Sequence, residues 1–117
     1  MSINPIDFSF HVKKGDLLPP LKIQIYESGT EDVFDLTGYV GTFYMAPVDA
    51  KSTAKISAGT VYITDYTNGK AEYKWSGTNT DTVGEFYFEF RFTKSAQAFS
   101  VPVISPGVVY IESRVGG

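Results

Sequence analysis

Residues 85–92 read Glu85-Phe86-Tyr87-Phe88-Glu89-Phe90-Arg91-Phe92. Phenylalanine occupies every second position, and the residues between are charged or phenolic. Successive side chains of an extended strand point to opposite faces. This spacing therefore sets Phe86, Phe88, Phe90 and Phe92 on one face and Glu85, Tyr87, Glu89 and Arg91 on the other. On a helix the same spacing would scatter the rings around the axis. The stretch predicts a strand with one dry and one wet face, as in an antiparallel sheet, and makes the four phenylalanines core residues.

The same alternation recurs on both sides of this stretch. Phe8, Phe10 and Val12 alternate with Ser9, His11 and Lys13 until Lys14-Gly15-Asp16 breaks the run. Pro19-Pro20 forces an extended approach to a second strand, because a residue before proline avoids the helical region. There Leu21, Ile23 and Ile25 alternate with Lys22, Gln24 and Tyr26, which places Ile23 and Ile25 in the core and Tyr26 outside. Residues 27–32 are polar, contain Ser28-Gly29 and read as a loop. Asp35-Leu36-Thr37-Gly38 leads into a strand over 39–45. Its inward set is either Gly41, Phe43 and Met45 or Val40 and Tyr44; the first is preferred and leaves Tyr44 outside.

Pro47 ends that strand. A weak short strand over 54–57 and a separate one over 59–64, with Val61 and Ile63, follow. Asn68-Gly69 marks a tight turn, since both residues tolerate the positive φ that such hairpins require. Ala71, Tyr73 and Trp75 alternate with Lys70, Glu72 and Lys74, and Trp75 joins the predicted core. Small and polar residues over 76–82 form a loop before the phenylalanine strand, taken as 84–93. Residues 94–98 connect it to a short strand carrying Phe99, Val101 and Val103. Pro102 cannot donate a ladder hydrogen bond, so this strand belongs at an edge or is irregular. Pro106-Gly107 turns the chain into a last strand over 108–113. No window shows sustained helical periodicity. About seven to nine short strands separated by turns predict an all-β sandwich or small barrel.

Composition narrows the class. At 117 residues the chain reads as one domain over 1–117, with a core over about 7–113 and flexible ends at 1–6 and 114–117. It has no cysteine, so neither disulfides nor thiolate metal ligands are expected. The net charge of −3, with no basic stripe, argues against nucleic acid as a partner. No apolar run reaches the roughly 18 residues that span a bilayer, and Met1-Ser2-Ile3-Asn4-Pro5 lacks the features of a signal peptide.

Candidate chemistry is sparse. His11 is the single histidine, and no G-x-S-x-G motif accompanies it, so a solvated strand histidine is the favoured reading. Glu31, Asp32 and Asp35 cluster beside a turn. Calcium takes six to eight oxygens, but the spacing fits no EF-hand, and Asp35 reads as a turn residue bonded to nearby backbone. The carboxylate pair of a glycosidase is defined in space and has no motif here. Lys14-Gly15-Asp16 is too short for a phosphate loop. No catalytic residue, metal or cofactor is expected.

Four segments, taken in order, carry a further signal. They are Lys14-Gly15-Asp16 with Pro19-Pro20; Phe34-Asp35-Leu36-Thr37-Gly38 with Thr42-Phe43-Tyr44-Met45; Ile63-Thr64-Asp65 with Asn68-Gly69-Lys70 and Tyr73-Lys74-Trp75; and Asp81-Thr82-Val83-Gly84 before the aromatic strand. Their order and spacing resemble the N-terminal domain of phage baseplate upper proteins, over roughly residues 10–112. That resemblance implies an immunoglobulin-like antiparallel β-sandwich and a structural, non-enzymatic role in the virion. The domain would dock to other phage tail or baseplate proteins, or carry a receptor-binding module. It further implies copies repeated by the symmetry of the particle and assembly in the host cytoplasm. The family supplies no catalytic residues. Residues 99–106 depart from its pattern, being rich in Val and Pro where a shorter polar turn is expected.

The expected attachment surface combines outward Tyr26, Tyr44 and Tyr87 with the edge residues Val101 and Val103. Tyrosine is enriched at protein interface hot spots, and an uncovered edge strand invites strand addition. The alternatives are cross-strand tyrosine pairing that merely stabilises the sheet, a carbohydrate-binding module using exposed aromatics, and a secreted adhesion module.

Overall fold

The structure, a computed structural model, describes residues 9–27, 32–101 and 107–116. Within them the chain forms eight strands and no helix: β1 (Ser9–Lys13), β2 (Leu21–Gln24), β3 (Val40–Pro47), β4 (Ile56–Asp65), β5 (Lys70–Tyr73), β6 (Gly84–Lys94), β7 (Gln97–Val101) and β8 (Gly107–Glu112). Hydrogen bonding runs β1-β8-β6-β3-β4-β5-β2, and β7 also pairs with β6. The result is an all-β, sandwich-like body that curls toward a barrel.

β4 makes the curl. Its first half pairs with β3, Phe43 opposite Gly59 and Thr42 opposite Thr60. Its second half pairs with β5, Val61 opposite Tyr73 and Ile63 opposite Ala71. One strand thus crosses from one layer to the other, and neither layer is free to slide. Residues 54–57 and 59–64, expected as two strands, form one strand from Ile56. Ala58, with φ 55°, and a register shift opposite Phe43–Met45 form the irregularity that makes the pattern look broken. Such a bulge bends a strand and increases its twist, which suits a strand that changes layers.

β6 is the central strand. β3 covers one edge from Val40 opposite Thr93 to Pro47 opposite Phe86. The other edge is divided: β8 covers Gly84–Phe88, and β7 covers Phe90–Lys94. The expected 94–98 connection is shorter than it reads. Ser95-Ala96 alone turn the chain, with Ser95 at φ 52°, and β7 begins at Gln97. β7 is an edge strand, as Pro102 implied, while Pro102 and Val103 lie outside the described residues. One pairing departs from the antiparallel expectation: β1 runs parallel to β8, Phe10 opposite Val109 and Val12 opposite Ile111. The sheet is therefore mixed.

The phenylalanine row faces inward throughout. Phe86, Phe88, Phe90 and Phe92 are buried, as are Gly41, Phe43 and Met45 on β3. The opposite layer contributes Ile23, Ile25, Ala71, Tyr73 and Trp75, also buried. Phe43 joins the layers: its ring stacks on Tyr73 at 4.2 Å and meets Trp75 edge-on at 5.9 Å. Trp75 lies just past the end of β5. Its ring packs on Phe10 at 5.7 Å, and its indole N–H donates to the Pro19 carbonyl at 3.1 Å, closing the side between β1 and β2. A second group, Phe34, Tyr39, Phe92 and Phe99, seals the other end with ring separations of 5.3–5.7 Å.

Two glycines are set by space. At Gly69, φ is +65° and a Cβ would lie 2.5 Å from the Phe34 carbonyl oxygen, so the Asn68-Gly69 turn tucks against backbone that a side chain would displace. At Gly107 a Cβ would lie 2.5 Å from the Phe88 ring; the start of β8 rides directly on the core.

Candidate functional site

Strand pairing decides which outward side chains meet, because residues directly opposite each other share a face. On the outside of β3 and β6, Tyr44 is opposite Glu89 and Ala46 opposite Tyr87. On β8, Val108 is opposite Tyr87 and Tyr110 opposite Glu85. On β1, His11 is opposite Tyr110. Tyr44, Tyr87 and Tyr110 therefore step one strand across and two residues along each time, in the same sense. They form a straight diagonal over three adjacent strands, with about 7–8 Å between diagonal neighbours. All three are half-buried.

The diagonal has two different ends. At the β1 end the His11 ring stacks on Tyr110, centroids 4.6 Å apart and planes 12° apart, and His11 Nδ1 lies 3.0 Å from Glu112 Oε2. At the β3 end Tyr44 and Tyr87 border a groove of about 480 Å³ whose rim includes Lys51, Ala54 and Glu89. The wall of this groove is the 48–55 connection. Backbone bonds hold it: Val48 N–H donates to the Glu85 carbonyl at 3.1 Å, and Lys55 N–H to the Met45 carbonyl at 2.7 Å. From this loop the Lys51 ammonium lies 5.6 Å from the centre of the Tyr87 ring, a cation–π distance.

The expected attachment residues separate into three groups. Tyr44 and Tyr87 come together. Tyr26 does not join them. It lies past the end of β2 in the opposite layer, in an isolated bridge to Val33, and its hydroxyl donates to Gln24 Oε1 at 2.7 Å. Val101 requires a correction. It is opposite Phe90, shares that residue's dry face and is 2% exposed. An edge position exposes a strand's backbone side but does not decide which way its side chains point, so Val101 is core. Val103 lies outside the described residues.

Tyr110, His11 and Lys51 were not singled out as contact residues. Val109 and Ile111 alternate with Val108, Tyr110 and Glu112, so the outward position of Tyr110 was legible locally. Its neighbourhood with Tyr87 depends on β8 lying beside β6, which no local pattern shows.

The other polar groups read as structural ties. Asp35 accepts from the Thr37 N–H at 2.8 Å, and hydrogen bonds from Thr37, side chain first and backbone second, hold its carboxyl below the usual range. Glu31 lies outside the described residues. Lys14-Gly15-Asp16 is a turn with Gly15 at φ +84°, and Asp16 pairs with Arg114 at 2.6 Å. Among the described residues no group of three or more His, Asp or Glu side chains is placed to hold a metal ion. Compared with protein-family models and with curated proteins, the chain matches none.

Proposed function

We propose that this chain is a non-enzymatic structural domain of a phage tail or baseplate. It acts by attachment to other virion proteins or as the carrier of a receptor-binding module. The observation that carries the reading is the diagonal Tyr44–Tyr87–Tyr110 on the outer face of β3, β6 and β8. The motifs behind the phage resemblance supply its frame: Asn68-Gly69 is the β4–β5 turn, and Phe34–Gly38 leads into β3.

The mechanism is passive. Tyrosines give large contact area at low conformational cost and keep a hydroxyl for the partner. The strands beneath them are bonded to neighbours, so the face arrives pre-formed and little ordering free energy opposes binding. Repetition of the chain around the particle turns modest single contacts into lasting attachment. Neither nucleic acid nor membrane is a partner in this reading, and the location is the virion.

The test is light scattering of the purified protein, alone and mixed with tail and baseplate proteins from the same gene cluster. The expected result is a complex that weakens in Tyr87→Ala. A protein that stays monomeric with every such partner contradicts the reading.

A further inference from the structure

We infer that the outer face of β3, β6 and β8 is a saccharide-binding platform, with the groove between Tyr44, Tyr87 and the 48–55 loop holding one pyranose and the diagonal toward Tyr110 guiding the rest of an extended oligosaccharide. The inference goes beyond the attachment reading: it takes the same outer face and assigns it a ligand of another class.

Other occupants fit the face poorly. β3 and β6 are bonded along both edges by described strands, so a peptide cannot add there as a further strand. Glu85 and Glu89 share this face with Arg91 and Lys51, so the charges balance and no concentrated positive patch is present to hold a polyanion. An amphipathic helix needs a continuous apolar trough, whereas this groove carries an ammonium, a carboxylate and two phenols on its rim.

A pyranose has the complementary make-up. Its C–H faces are apolar and slightly positive, and lie flat on the negative faces of aromatic rings. Its equatorial hydroxyls donate to a carboxylate such as Glu89 and accept from an ammonium such as Lys51. Sugar sites combine aromatic side chains with a few polar groups, and here Tyr44 and Tyr87 border the groove beside Lys51 and Glu89. The straight diagonal over a sheet suits a ribbon-like chain of equatorially linked sugars rather than a coiled one.

The experiment is a titration of the ¹⁵N-labelled protein with chitotetraose and cellotetraose, with the coiled chain maltotetraose as comparison, followed by amide shifts. The expected result is saturating shifts at Tyr44, Lys51, Tyr87 and Tyr110 with one of the extended sugars, at a Kd on the order of 1 mM or tighter. Tyr87→Ala is expected to weaken binding about tenfold or more. Glu89→Gln, which preserves shape, is expected to weaken it less. Tyr62→Ala, which removes an exposed tyrosine elsewhere on β4, is expected to leave binding unchanged. Absence of shifts with both extended sugars at about 10 mM overturns the inference, as does unchanged binding in a folded Tyr87→Ala protein. Tail-protein docking measured on the same samples separates the two ideas. Docking without sugar binding defeats this inference alone, and sugar binding without docking defeats the virion role alone.

Discussion

The inward and outward faces of β3 and β6 are built from the same two strands and the same register, yet they do opposite work. Inside, Phe43, Phe88, Phe90 and Phe92 meet rings of the other layer, of neighbouring strands and of their own strand at 4.2–6.4 Å. Outside, Tyr44 and Tyr87 occupy the alternate positions and remain partly open to solvent. On the proposed reading, one strand carries the fold on one face and a contact surface on the other as nearly separable properties. A substitution on one face changes area buried on folding; a substitution on the other changes area available to a partner.

The comparison is most severely tested by truncating the inner row. Phe90 is 0% exposed and meets both Phe43 and Phe88. Phe90→Ala removes its transfer free energy and leaves a cavity, and is expected to cost about 3–5 kcal/mol. That is a large share of the roughly 5–15 kcal/mol that holds a domain folded. Urea unfolding followed by Trp75 fluorescence measures it. The neighbouring outward change Glu89→Ala is expected to stay within about 0.5 kcal/mol. Equal effects from the two would show that the faces are not distinct.

Adding volume to the inner face tests the same idea from the other direction. A Cβ at residue 107 would lie 2.5 Å from Phe88 Cε2 and Cζ. Gly107→Ala is expected to destabilise by about 1–3 kcal/mol through overpacking. A second substitution that shrinks the ring, Phe88→Leu, should recover part of the loss if the clash is its source. Thermal unfolding of the single and double variants reads this coupling directly.

Much of the inner face was legible in the sequence, and the reasons are local. Alternation needs no knowledge of neighbours, so Phe86–Phe92, Ile23 and Ile25 followed from parity alone, whereas on β3 parity left two sets open and the set with Phe43 was the preferred one. What escaped depends on pairing between distant segments. Ser9–Lys13 lies parallel beside Gly107–Glu112, about a hundred residues away, and this places His11 on Tyr110. β8 beside β6 places Tyr110 on the line of Tyr44 and Tyr87. Val101 was misjudged because Pro102 suggests an edge, and an edge was equated with exposure; its partner Phe90 holds it inward. The irregularity at Ala58 disguised one strand as two.

Burial makes one inner tyrosine a source of pH dependence. Tyr73 is buried against Phe43, and burial pushes its hydroxyl above the ordinary value of 10.0. Its hydroxyl donates to Asn79 Oδ1 at 2.7 Å. In the unfolded chain Tyr73 ionises at its ordinary pKa, whereas in the folded chain it keeps its proton to higher pH. The folded state thus binds more protons above pH 10, and stability falls as pH rises through that range. Tyr73→Phe is expected to remove this part of the alkaline loss, although it also forfeits the bond to Asn79. Unfolding midpoints at pH 8 and pH 11, compared between the two proteins, check it: the ratio of losses should shrink in the variant. An unchanged alkaline loss would place the titrating group elsewhere.

A small effect on folding is expected where the effect on binding is largest. Tyr87→Ala removes a half-buried outward ring and its contact with Lys51 at 5.6 Å. A solvent-exposed cation–π contact is worth about 0.5–1 kcal/mol, so the unfolding midpoint should move little. The inner rows, the β6–β8 ladder and the turn at Gly69 are untouched by the change. Partner binding, by contrast, loses the middle ring of the diagonal, the one that sits between Tyr44 and Tyr110. Interface energy concentrates in a few central aromatic anchors, and truncating one typically costs about 2 kcal/mol or more. The two measurements together are decisive for the division of labour between the faces. A variant that folds like the parent but no longer attaches supports it, and a variant that unfolds would mean that Tyr87 belongs to the structure rather than to the surface.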